Sequence, residues 1–408
     1  MLSVIKGFTE NWLRIVLIKR NRVMLNVIDQ PELLWQECSR IARDPKVISS
    51  ELFNREDDHF VLVYGPVAQR NPFQSLLYSA KDKFNVSLLP IHDLALVGDI
   101  PWPSKVICHL HWIHGRTGQA KNEAEADASV IYWSNIIKRI KVNGYKLVWT
   151  VHNVMPHESV WFEHDREIHQ MMADAADALH IMASDSVKLT QQHYTLSQNK
   201  VFVVPHSTYE GAQRDDITRA LARSELGIAE EEFVFISFGA ILEYKGYHEL
   251  MSAYDKLCDE LEKKTRLIIA GLPSDKQLVE KITSWAKGKP EVILALTAVP
   301  SDKLQLYFRS ADVAVCPYRR TMNSGAAMMA LTFQIPVIAP NVGGFADLVK
   351  EKCVCGYSFG DSIELLNTMR ESVIGDILPS HEHLILKCNE LSPAKISELF
   401  FSNLIGSL

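Results

Sequence analysis

Two α/β domains, each a parallel sheet covered by helices, are what this sequence predicts, on three observations. The chain has 408 residues, more than one ordinary core holds. Short apolar runs of strand length alternate with segments of helical periodicity. The alternation restarts after a polar stretch at residues 210–219, which marks a boundary within 208–230.

In the first half, residues 59–64 form an apolar run closed by Gly65-Pro66. Residues 71–83 read as a helix with Phe73, Leu76, Leu77 and Ala80 on one face. Strands follow at 86–90 and 106–112, then a helix at 120–141, then strands at 146–152, 178–182 and 201–204. The second half gives strands at 233–238, 266–270, 292–296, 313–317 and 336–339. Helices at 247–261, 274–288, 301–309 and 325–333 separate them. Alternation of this kind implies parallel strands joined by helical crossovers, and so two Rossmann-like domains facing a central cleft. The expected division is a helical extension over 1–57, a first domain over 58–215, a second over 216–380, and a C-terminal helix over 381–408 that crosses back to the first.

Composition narrows the function class. Hydrophobic residues make up 47% and charged residues 23%, as in ordinary globular proteins. A net charge of −6 argues against a general nucleic-acid binder. The seven cysteines are odd in number and scattered; Cys353 and Cys355 form C-x-C with no second pair, which suits reduced thiols rather than a zinc site. No apolar run reaches the length of a membrane-spanning helix. The first 25 residues carry Lys6, Arg14, Lys19, Arg20 and Arg22 among apolar residues; the pattern suits a helix on an anionic membrane surface, or one packed on the domain with its charges in water.

In open parallel sheets ligands sit beyond the carboxyl ends of the strands, so chemistry is sought there. Phe238-Gly239-Ala240 leads to Lys245-Gly246: small residues let a phosphate approach the backbone, and a lysine one turn on brings a compact charge. The run from Tyr318 through Arg319, Arg320, Asn323, Ser324, Gly325 and Ala326 opens an apolar helix. Asn323 or Ser324 is a natural N-cap, and the free N–H groups behind it suit an anion. In the first half His109, His111, Trp112 and His114 end one strand, while His152 to Glu158, including His157, end another. No carboxylate or cysteine set completes a metal site around those histidines.

Taken in order, these segments resemble the glycosyltransferase-B superfamily, in particular its bacterial branch related to family 4, over roughly residues 59–400. The resemblance rests on Asn71 to Tyr78, His109 to Trp112, Trp149 to Glu158, Val204-Pro205-His206, Phe238 to Gly246, and Ala311 to Ala339 with Gly343-Gly344. It implies that Lys245 and Gly239 form a diphosphate loop, and that Asn323, Ser324, Gly325 and Ala326, with Arg319, hold the diphosphate. It also implies that Val299 lies near the nucleotide base, that His152 touches the donor sugar, and that His111, Trp112 and His157 lie on the acceptor side. Two departures stand out. Ala240 replaces the arginine that usually follows the loop glycine in retaining members, and Thr321 and Met329 occupy the positions of their paired glutamates. Loss of the glutamates raises inversion with a general base, for which Glu158, His114 and His157 are candidates.

The implied function is transfer of a sugar from a nucleotide-sugar donor to a glycan or lipid-linked saccharide acceptor. No metal or other cofactor is expected, since no Asp-x-Asp pair is present. The implied setting is bacterial surface polysaccharide synthesis in the cytoplasm, peripheral on the inner face of the membrane, with no nucleic-acid partner. An inactive nucleotide-sugar-binding subunit and a nucleotide-sugar epimerase are the alternatives on the same architecture. No G-x-G-x-x-G follows a strand, which counts against a dinucleotide-dependent oxidoreductase.

Overall fold

The computed structural model describes residues 59–68, 71–91, 94, 97, 105–156, 159–375 and 377–408. The sequence expectations for residues 1–57, for His157 and for Glu158 lie outside the described residues.

Elements of the first half are β1 (Phe60–Gly65), α1 (Phe73–Leu77), β2 (Val86–Pro90), β3 (Lys105–Leu110), α2 (Glu123–Val142), β4 (Lys146–Thr150), α3 (Phe162–Ala175), β5 (Ala178–Ile181), α4 (Ser186–Thr190) and β6 (Val201–Val203). Those of the second half are α5 (Arg219–Glu225), β7 (Phe233–Phe238), α6 (Tyr247–Glu260), β8 (Thr265–Ala270), α7 (Lys276–Ala286), β9 (Val292–Ala295), α8 (Leu304–Ser310), β10 (Val313–Val315), α9 (Gly325–Thr332), β11 (Val337–Pro340), α10 (Gly344–Lys350), β12 (Val354–Tyr357), α11 (Ser362–Ile374), α12 (His381–Glu390) and α13 (Pro393–Gly406).

The first sheet has the order β2-β1-β3-β4-β5-β6, and its β1–β2, β1–β3 and β3–β4 ladders are parallel. The second has the order β12-β11-β10-β7-β8-β9, parallel throughout. The apolar runs behave as strands covered on both faces: Val61, Leu62 and Val63 in β1 and Val234, Phe235 and Ile236 in β7 are all shielded. By contacts the described residues form two compact units, one of those up to 150 with 161–179 and 401–408, the other of those within 151–160 and 180–400.

The helix expected over 71–83 is a correction. Only Phe73–Leu77 is α-helical, and the chain then tightens into i→i−3 turns, with Lys81 N–H bonded to Tyr78 O at 3.1 Å, before a 3-10 turn at Lys81–Phe84. Tyr78 is drawn inward, 1% exposed, to His109 of β3 and His111 just after it, and Asn85 ends the turn in the left-handed region at φ 53°. The amphipathic stripe was real, since Phe73, Leu77 and Ala80 are buried, but it spans two short elements. The stretch α3 and the elements α10, β12 and α11 had no counterpart in the sequence reading.

One buried cation ties the second unit together. Arg223 on α5 is 1% exposed. It donates to the carbonyls of Ala229, Glu230, Glu232 and Ser310, and to Asp312 Oδ2 at 2.8 Å. Asp312 in turn accepts Val234 N–H of β7 at 2.8 Å and pairs with Arg219 at 2.5 Å. The charge is buried, but its donors are satisfied and an anion faces it, as a buried ion requires.

Candidate functional site

Read from its other edge, the second sheet runs β9-β8-β7-β10-β11-β12, so the direction of travel reverses between β7 and β10. A crevice opens beyond the carboxyl ends of two such strands, because their crossovers leave to opposite sides. The segments that follow β7 and β10 are the two that the sequence singled out.

After β7, Gly239 adopts φ 119° and its amide bonds to Ala270 O at 3.0 Å. A Cβ at this position would fall on Lys245 Nζ. Glu243–Lys245 form one 3-10 turn, and Gly246, at φ 73°, redirects the chain into α6. A side chain at Gly246 would collide with the carbonyl of Pro317 after β10, so glycine is required there on two counts.

These turns deliver Lys245 into the interior, 7% exposed. Its Nζ donates to the Tyr318 hydroxyl at 3.1 Å and lies 5.0 Å from the centre of that ring. Burial pulls the ammonium down to about 8. Cys316 lies close, yet burial pushes its thiol up to about 11, and Tyr318 is raised well above its ordinary value. Both are therefore neutral near pH 7. Among the described residues no carboxylate pairs with Lys245. Arg319 differs: its Nε bonds to Glu249 Oε1 at 2.7 Å, with Glu243 at 3.8 Å, so its charge is already matched within the protein.

After β10 the chain reaches α9. Ser324 is the N-cap, its Oγ accepting Ala327 N–H at 3.2 Å. Gly325 N–H and Ala326 N–H have no acceptor among the described residues, as the first turn of a helix leaves them. Asn323 Nδ2 donates to His152 O at 3.1 Å, which fixes the loop before the helix. Of the positions where acidic residues were missed, Thr321 turns its hydroxyl to Asn323 O at 3.0 Å and Met329 is buried in the core. A cavity of about 310 Å³ borders this corner, with His206, Asn323, Ser324, Gly344, Asp347 and Lys387 among its lining. Asp347 is held by Ser184, through N–H at 2.8 Å and Oγ at 2.5 Å. Val299 is half-buried on the loop after β9.

In the other unit, the β3 end forms a sealed network. Tyr78 Oη lies 2.8 Å from His109 Nδ1 and 2.7 Å from His111 Nε2, and His109 Nε2 lies 2.6 Å from Thr150 Oγ1. All four residues are at most 1% exposed. His111 was expected to face an acceptor; its ring faces protein instead, because Tyr78 reaches it from α1's far end. Trp112 is half-buried beside it, ring centres 5.4 Å apart. His114 is half-buried; burial lowers its basicity, and Asp165 partly offsets this. Asp165 on α3 is 3% exposed and is bonded by the Thr117 hydroxyl. A half-buried histidine of lowered basicity is neutral near pH 7 and can accept a proton.

Two participants escaped the sequence reading, Asp165, which biases His114, and Tyr209, which packs on α9; Tyr318, which faces Lys245, was named there without a role. An isolated tyrosine or aspartate carries no periodic signal. Only Pro205-His206, closing a strand, pointed toward Tyr209.

Residues 218–368 match the family model of glycosyl transferases group 1. A D-inositol 3-phosphate glycosyltransferase of Geodermatophilus obscurus is 28% identical over 193 residues, 45% of this chain and 42% of that protein. An uncharacterized glycosyltransferase of Methanocaldococcus jannaschii is 26% identical over 130 residues, 32% of this chain and 33% of that protein. The chain thus spans less than half the length of these curated relatives. Among solved structures, Anabaena HepE in complex with UDP and glucose superimposes with a TM-score of 0.62 at 13% identity, covering 86% of this chain and all of that one. The UDP-forming α,α-trehalose-phosphate synthase of Burkholderia xenovorans, in complex with glucose-6-phosphate, gives 0.59 at 10% identity over 85% of this chain and all of that one. Residues 218–368 thus match the glycosyl transferases group 1 model, and the two parallel sheets share the fold of these solved structures.

Proposed function

We propose that the protein moves a sugar from a nucleotide-sugar donor to a saccharide or lipid-linked acceptor, without a metal ion. The observation that carries this reading is Lys245. A buried ammonium with only neutral neighbours is costly, and a diphosphate supplies the missing charge. It stands at the reversal point of the sheet, where the loop after β7 meets the segment leading to α9. When the bond from sugar to phosphate breaks, negative charge grows on the departing diphosphate. An ammonium and free helix N–H groups fixed in advance stabilise that charge more than the ground state. Such fixed positive groups can take the part that a divalent cation plays at other phosphate sites, which supports the metal-free reading.

The acceptor hydroxyl must lose a proton. The neutral ring of His114 supports it as the proton acceptor, with Glu158 and His157 as the other candidates and His152 near the donor sugar. The names of the relatives support sugar transfer; the setting proposed here is bacterial surface polysaccharide assembly at the cytoplasmic face of the membrane. Among the described residues no helix is long and apolar enough to cross a membrane. UDP is the first nucleotide to test, because the Anabaena neighbour was solved with it. A nucleotide-sugar-binding subunit without turnover is the second reading; Ala240 and the buried Met329 favour it.

The test is a thermal-shift panel of UDP, GDP, dTDP and their sugars in EDTA, followed by an assay for nucleoside diphosphate release with saccharide acceptors. One nucleotide that raises Tm, with release that needs acceptor, supports the transferase. A shift without release from any acceptor supports the binding subunit. No shift from any nucleotide sinks both.

A further inference from the structure

Tyr209 follows the end of β6 and lies along α9. Its backbone N–H donates to Thr332 Oγ1, at the last residue of that helix, at 2.8 Å. Its neighbour Thr208 is tied to Leu391 O at 2.8 Å, so the segment is anchored on both sides. The residue is 5% exposed, and its ring reaches the opposite end of α9. There a Cβ on Gly325 would lie 2.9 Å from the Tyr209 hydroxyl, closer than real side chains approach. The resemblance placed Gly325 among the residues that hold a diphosphate; the structure shows that it also leaves room for this hydroxyl.

Among the described residues the hydroxyl has one partner, His206 Nε2, at 3.4 Å, the outer limit of a hydrogen bond. His206 Nδ1 lies 2.7 Å from Ser207 O, and a carbonyl can only accept, so Nδ1 carries the proton and Nε2 is left as an acceptor. The tyrosine hydroxyl must then be the donor. It is a nearly buried donor, loosely held, beside the two free N–H groups of α9 and at the edge of the cavity that His206, Asn323 and Ser324 line.

We propose that Tyr209, held beside His206 in the empty protein, turns its hydroxyl to donate a hydrogen bond to a diphosphate oxygen at the N-terminus of α9 and so does part of the work of the arginine replaced by Ala240. The inference rests on the donor-binding reading above. Lys245 approaches the same ligand from β7, and Tyr209 approaches it from the β6 side of α9. Burial raises the phenol to about 12 and lowers His206 to about 4, so both are uncharged near pH 7 and the pair can donate to an anion without itself adding negative charge. On binding, the hydroxyl exchanges a long bond to a neutral ring for a short, charge-assisted one.

The experiment is calorimetric titration of UDP and of uridine into the wild-type protein, Tyr209→Phe and His206→Asn, with Tm measured for each without ligand. A lost hydrogen bond to a charged group weakens UDP binding about tenfold or more in Tyr209→Phe. Uridine, which lacks the diphosphate, should bind both proteins equally, an outcome that general loosening of the site would not give. His206→Asn, which removes that neighbour but keeps the hydroxyl, should give a smaller loss of the same selectivity, and serves if the first variant does not fold. Equal UDP affinity in a folded Tyr209→Phe overturns the role of Tyr209 while leaving the donor-binding reading intact. If the wild-type protein binds neither UDP, GDP nor dTDP, the donor-binding reading fails and this inference falls with it.

Discussion

Lys245 Nζ lies 3.1 Å from the hydroxyl of Tyr318, and that neutral phenol, not a carboxylate, is its side-chain hydrogen-bond partner. Function and stability are opposed at this contact. An ammonium held at about 8 instead of its ordinary 10.5 destabilises the empty protein at neutral pH by roughly 3 kcal/mol, since each pKa unit is worth about 1.4 kcal/mol. Lys245→Met should therefore raise the Tm of the ligand-free protein while abolishing the shift caused by a nucleoside diphosphate. Parallel melts with and without UDP measure both effects. A variant that keeps the full ligand shift removes Lys245 from the site.

The same group sets a pH dependence of binding. Below about pH 8 the free protein holds the ammonium, and above it the charged form becomes rarer by a factor of ten per pH unit. A diphosphate selects the charged form, so Kd for UDP should be level below pH 8 and rise above it by up to about tenfold per unit, until the ligand's own stabilisation of the charge is reached. Titrations between pH 7 and 10 read this directly. The rise should vanish in Lys245→Met.

Acid should unfold the protein early. His169 and His180 are buried, His206 is half-buried, and each is lowered to about 4 by desolvation. Above the ordinary histidine value of about 6.5 both folded and unfolded states hold them neutral, and stability is complete. Between about 6.5 and 4 the unfolded chain binds protons that the folded one refuses, so stability falls as pH drops, by up to roughly 1.4 kcal/mol per pH unit for each histidine. Urea unfolding at pH 7, 6 and 5 should show the loss. His180→Gln, at a ring stacked on Phe202, should make the slope shallower.

Arg223→Leu should cost about 3–5 kcal/mol, because it strips donors from the carbonyls of Ser310, Ala229, Glu230 and Glu232 and leaves Asp312 with one cation where it had two. Chemical denaturation would show it. Arg219→Leu, at a side chain far more exposed, should cost under about 1 kcal/mol.

The sequence by itself determined most of the strands of both sheets, since apolar runs covered on both faces and bounded by Gly, Pro or polar clusters are local signals. An N-cap at Asn323 or Ser324 was legible for the same reason, since capping depends on neighbours in the chain, and the structure chose Ser324. Tertiary structure decided what those residues meet. It fixed the strand order that puts the reversal between β7 and β10, and it closed Tyr78 over His111 across 33 positions. It matched Arg319 to Glu249 across 70 positions, and brought Tyr209 against Gly325. A helix or strand is chosen by the periodicity of its own residues, but a side chain's partner is chosen by which distant surfaces the packed sheets bring within about 3 Å, and no local pattern records that distance.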